Sequence, residues 1–142
     1  MSLDLSINIR DALLLDPLIV AAISSWLGSP SIHTRRPIPE SVSYPLIIVS
    51  PDIGITDEDG LTSTRPVVQR DIICYGLQPS QYRTVETVGY YLRELFHRKP
   101  AVLIVSGYHV IDIQARGPSI APVDDEAHCA RMINLFIRLR KS

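Results

Sequence analysis

Residues 128–141, HCARMINLFIRLRK, alternate without a break. Cys129, Arg131, Ile133, Leu135, Ile137 and Leu139 fall on one side, and Ala130, Met132, Asn134, Phe136, Arg138 and Arg140 on the other. A period of two with an apolar row predicts a long strand that buries one face. Just before it, YHVIDIQARG alternates too, Val110, Asp112 and Gln114 against His109, Ile111 and Ile113. The linker PSIAPVDDE carries Pro118, Pro122, Asp124 and Asp125, the composition of a hairpin turn.

A second pair of strands lies upstream. Leu46–Val49 is a short apolar run closed by Pro51, which predicts a strand buried on both faces. PVVQRDIICYG, residues 66–76, places Val68, Ile72 and Cys74 on one face and Gln69 and Asp71 on the other. Between them DIGITDEDGLTSTR is acidic and rich in Gly, Thr and Ser, and reads as a long exposed loop across which the two strands pair.

Helical spacing is clearest over 79–98, where Tyr82, Val85, Val88, Leu92, Leu95 and Phe96 line one side and Pro100 closes the segment. Gly89 lies on that side, where a missing side chain lets a helix come close to a sheet. The N-terminal segment reads as a broken helix with Ile7, Ile9, Leu13, Leu14 and Leu15, restarted by Asp16-Pro17 as N-cap and first helical residue. Leu18, Ile19, Ala22, Ile23, Trp26 and Leu27 then form one stripe, with Gly28 placed to end it. Residues 28–45 hold Pro30, Pro37, Pro39 and Pro45 and are expected to be loop or extended chain, with a short strand near Ile32.

The order helix–β–β–α–β–β defines an α+β domain over residues 1–142. It predicts an antiparallel sheet of about four strands, two hairpins flanking one helix, with the N-terminal helix packed on it. A chain of 142 residues suits one such domain, and 46% hydrophobic with 20% charged residues argues against disorder. No apolar run approaches the ~20 residues of a membrane span. The opening MSLDLSINIR has acid early and lacks the basic-then-apolar order of an export leader. Cys74 and Cys129 read as reduced core residues.

The formal net charge of −1 provides no field to draw in nucleic acid or an anionic membrane. That neutrality is uneven along the chain. Residues 52–59 hold Asp52, Asp57, Glu58 and Asp59 without a base, and 128–142 hold Arg131, Arg138, Arg140 and Lys141 without an acid. Of the 14 basic residues only Lys99 and Lys141 are lysine, a skew that genomic codon bias produces and that also suits interfaces, where arginine is favoured. Opposed charged segments on a neutral chain suit head-to-tail stacking of copies.

Catalytic patterns are sparse. His33, His97, His109 and His128 sit in separate elements, and His128 and Cys129 point to opposite faces of a strand. Asp124, Asp125 and Glu126 have the chemistry of an acid–base pair or a divalent-ion cluster, but also that of a solvated hairpin tip. Asp57-Glu58-Asp59-Gly60 lacks the alternating ligands of a calcium loop. No phosphate-binding glycine loop, nucleophile elbow or metalloprotease motif is present. The arginines of the last strand suit phosphates, yet only Phe136 and Tyr108 offer stacking surfaces. The expectation is a protein without catalysis, metal or cofactor, not specific for nucleic acid. The opposing reading is a small α+β enzyme or ligand-binding domain using Asp124, Asp125, His128 and a cysteine.

In sequence, RPVVQRDIICYG, SQYRTVETVGYYLRELF and HVIDIQARGPSIAPVDDEAHCARMINLFIRLRKS, preceded by DALLLDPLIVAAI and YPLIIVSPDIG, resemble the bacteriophage tail-completion (tail-terminator) family. That family occurs in prophages and gene transfer agents. The resemblance covers nearly the whole chain and departs from it at the Pro- and Arg-rich residues 28–40. It implies a virion component assembled in the bacterial cytoplasm: a six-membered ring on the head-proximal end of a tail tube. Such a ring ends tube growth and meets the head connector. The implied partners are further copies, the major tail tube protein and the connector, and another neck or head-completion subunit is the near alternative. On that reading Asp57, Glu58, Asp59, Asp124, Asp125, Arg131, Arg138 and Arg140 are the candidate interaction residues.

Overall fold

Asp16 restarts the N-terminal helix as expected: its Oδ1 accepts from the backbone N–H groups of Leu18 at 2.9 Å and Ile19 at 3.3 Å. The computed structural model describes residues 5–34, 42–49, 54–59, 64–121, 123 and 127–141. Helix α1 spans Ser6–Leu14 and α2 spans Pro17–Ala22. Replacing Asp16 with alanine is expected to cost about 0.5–2 kcal/mol, read from urea unfolding, because two orphan donors lose their acceptor.

Helix α2 is shorter than the apolar stripe suggests. It ends at Ala22, and β1 (Ser25–Trp26) and β2 (Ser29–Pro30) form a tight hairpin. Leu27 and Gly28 turn it with φ of 51° and 81°, the paired positive values of a two-residue hairpin loop. Gly28 thus turns a hairpin instead of ending a helix, and Leu18 and Leu27 are exposed while Ile19 and Ile23 are buried.

The remaining strands are β3 (Ile32–His33), β4 (Leu46–Val49), β5 (Gly54–Asp59), β6 (Thr64–Leu77), β7 (Tyr108–Ile120) and β8 (His128–Lys141). They form a sheet of order β3-β4-β6-β8-β7, with β5 also paired to β6. Among the described residues this sheet has six strands instead of the expected four or so, and it is mixed because β3 runs parallel to β4. The stretch read as a loop over 52–65 contains β5, which pairs antiparallel with residues 64–69 of β6. Its acidic composition hid the Ile55-Thr56 core of a strand, and the long β6 edge supplies the backbone partners that a free loop lacks. Strand β4 pairs further along the same edge, with residues 72–75, so β4 and β5 share one side of β6 in succession.

Helix α3, Tyr82–Phe96, packs across β6, β8 and β7. It starts three residues later than the expected 79, because Pro79 stands in the turn that precedes it. Val85, Val88, Leu92 and Phe96 are fully buried with Val68, Ile72, Ile113, Ile133, Leu135 and Ile137 from the sheet. Ile9, Leu13, Ile19 and Ile23 of the N-terminal segment join the same cluster beside Ile47 and Val49. The helix comes close at two glycines. A Cβ on Gly89 would sit 2.8 Å from Pro118 Cβ, and one on Gly76 would run into Val85 Cγ2. Strand β4 is buried on both faces, as its apolar run predicts. No helix among the described residues is long and apolar enough to cross a membrane.

Candidate assembly surface

The register of the long strands brings the two charged segments to one end of the sheet. Thr56, Val67 and Arg138 form a row across β5, β6 and β8. Beyond this row the sheet forks. Strand β6 continues with β5 alone to the pair Thr64–Asp59, and β8 continues with β7 alone to the pair Lys141–Tyr108. One prong carries Asp57, Glu58 and Asp59; the other carries Arg138, Arg140 and Lys141, all three exposed. The segments are therefore neighbours on adjacent prongs, not opposite poles of the domain.

Arg131 does not lie with them. It is seven residues from Arg138, roughly 24 Å along a strand at about 3.4 Å per residue. Its guanidinium turns inward at 9% exposure, where Nη2 donates to Tyr82 Oη at 2.8 Å, Nη1 donates to the Ala130 carbonyl, and Cζ sits 5.0 Å from the Tyr82 ring centroid. It braces the first turn of α3. Asp124 and Asp125 lie outside the described residues.

A second surface escaped the sequence reading. The sheet face away from α3 carries Ile73, Tyr75, Met132 and Phe136, each half-buried, around a hydrogen bond from Asn134 Nδ2 to Asp71 Oδ1. Arg116 Cζ stands 4.7 Å above the Phe136 ring. The signal was present in the alternation, since the row opposite the core in both β6 and β8 is partly apolar.

The chemistry of the remaining polar groups is inward-looking. Burial pushes the Cys74 thiol up to about 12, and burial also raises Cys129, whose Sγ lies 3.7 Å from the Gly76 carbonyl. A thiol held protonated is a poor nucleophile. Both are expected to resist a thiol-reactive dye in the native protein at pH 8 and to react together once unfolded. Fast reaction of either in the native state would contradict this burial.

His33 Nε2 lies 2.8 Å from Ser31 Oγ, the spacing of a nucleophile and its base. Ser31 is only 1% exposed, so its hydroxyl is enclosed. Burial first, and the nearby charge of Arg10 second, hold the His33 imidazole below its ordinary 6.5. The unfolded chain therefore takes up this proton before the folded one does. Stability from this group is intact above about 6.5 and is lost as pH falls toward the folded value. Urea midpoints measured across pH 7.5 to 5 are expected to fall less steeply for His33→Gln than for the native chain.

Among the described residues no three His, Cys, Asp or Glu side chains come together as a metal site. The His128 ring meets Tyr44 at a 54° tilt with centroids 4.9 Å apart, and His97 Nδ1 accepts the Ala115 N–H.

No family model and no curated protein matches this chain. Its fold is similar to that of a chain in the virion of a native gene transfer agent particle, with a TM-score of 0.72 at 15% identity. The superposition covers 97% of this chain and 94% of that one.

Proposed function

We propose that this chain is a structural, non-catalytic subunit of a phage-like particle: a tail terminator that forms a ring at the head-proximal end of the tail tube. The ring ends tube growth and offers its outer surface to the head connector. The observation that carries this reading is the likeness to the virion chain, which runs nearly end to end in both proteins. The sequence resemblance to tail-completion proteins points the same way. The forked, oppositely charged end supplies what a ring requires, two different patches on one subunit that can meet on neighbouring copies. Ser31, Cys74 and Cys129 are enclosed, which favours assembly over catalysis.

The experiment is tube growth in vitro. Adding this chain to polymerising major tail tube protein from the same genome is expected to shorten the tubes and stop further elongation at one end. Unchanged length distributions at stoichiometric excess would overturn the terminator reading. Binding to the connector without binding to the tube would reassign the chain to another neck position.

A further inference from the structure

We infer that copies of this chain join through strand edges: β5 of one copy runs antiparallel along residues 108–111 of β7 in the next, with Asp57, Glu58 and Asp59 set against Arg140 and Lys141. The inference rests on the ring reading above and specifies its subunit contact.

Among the described residues β5 pairs with β6 alone, and β7 pairs with β8 alone. A strand edge is a row of N–H and C=O groups that accepts another strand. On β7 that row is closed in the middle by the end of α3. The Arg98 N–H donates to the Ile113 carbonyl at 2.8 Å, and the Ala115 N–H donates to His97 Nδ1 at 3.2 Å. Arg98 Nη1 also donates to Asp112 Oδ2 at 2.8 Å, next to a bulge between Val110 and Asp112. Residues 108–111 lie beyond this cover, and His109 and Ile111 there are exposed.

Strand direction selects the pairing. The steps β5 to β6, β6 to β8 and β8 to β7 are all antiparallel, so β5 and β7 run in opposite directions. A copy generated by rotation about an axis along the strands keeps these directions. It brings its β5 antiparallel beside the first copy's β7, and each copy uses both edges once. That is a heterologous contact, which repeats until the rotation closes.

Charge selects against the alternatives. Arg140 and Lys141 pair with His109 and Tyr108, one strand in from the β7 edge, and strands are spaced by roughly 4.8 Å. A strand laid along β7 stands one further spacing out, with its residues 57–59 at the same end of the sheet as Arg140 and Lys141. A two-fold pairing of β5 with β5 sets acid against acid, and one of β7 with β7 sets base near base.

The test uses the full-length chain with one cysteine at Thr56 or Glu58 and a second at His109 or Ile111, keeping the buried native thiols. Oxidation in the presence of tail tube protein is expected to give a ladder of cross-linked species up to the full ring for the double variants. Mixtures of the two single variants should stop at dimers. Independently, D57K with E58K, and R140E with K141E, should each weaken assembly by about tenfold or more, and the four together should restore it. Rings seen by electron microscopy without a ladder, and indifferent to the reversals, would overturn this contact and leave the ring reading standing. Absence of rings and ladder alike would overturn both.

Discussion

Replacing Phe96 with alanine is expected to remove about 3–5 kcal/mol of folding free energy, the usual cost of emptying a buried aromatic site. Phe96 is the last residue of α3 and is fully buried, in one cluster with Leu92, Leu103 and Ile113. The loss is large against the roughly 5–15 kcal/mol that holds a domain together. It should appear as a fall of more than about 1 M in the urea midpoint. The consequence extends to the sheet edge. His97 and Arg98 follow Phe96 directly and close residues 113–115 of β7. A loosened helix end uncovers that edge, so the variant should also aggregate at concentrations where the native chain does not. A cost under about 1 kcal/mol would mean that this site repacks around the gap.

Gly89→Leu is the second large effect, and its sign is informative. Leucine is a better helix former than glycine by roughly 0.8 kcal/mol, so on helix propensity alone the substitution stabilises. The added side chain has no room: the first carbon already stands 2.8 Å from Pro118 Cβ and 3.4 Å from Arg131 Cβ. Pro118 belongs to the bulged part of β7, and Arg131 is held by Tyr82, so neither yields readily. Overpacking of this kind costs about 1–3 kcal/mol and at times more, and it should outweigh the helical gain. Calorimetry of Gly89→Leu is expected to show a lower Tm with unchanged helical content by circular dichroism. A raised Tm would show that α3 moves away from the sheet without loss.

Much of this arrangement was legible in sequence because it depends on local period. The alternation of β8, the stripe of α3, the Asp16 cap and the double burial of β4 each follow from residues within a few positions of one another. Position in the pattern proved stronger than residue type. Arg131 stands in the apolar row between Cys129 and Ile133, and its side chain does turn into the interior. Arg70 keeps the same parity as Val68 and Ile72, and it too is buried, with Nη1 donating to the Gln69 carbonyl.

What stayed hidden depends on pairing between distant segments. Strand β5 is acidic and is held by the far half of β6. The two-residue β3 exists through a parallel partner at Ile47 and Ile48. The fork that sets Asp57–Asp59 beside Arg138 and Arg140 is a matter of register, which no local window contains. Composition gave a neutral chain with separated charges; register places those charges on adjacent prongs of one sheet.

The terminator reading is tested most directly by imaging tail tubes assembled with this chain in negative stain and averaging their tips. The account predicts a ring of copies on one end of each tube, absent from the other end and from tubes grown without the chain. Bare tips at both ends, with the chain left in solution, would contradict it.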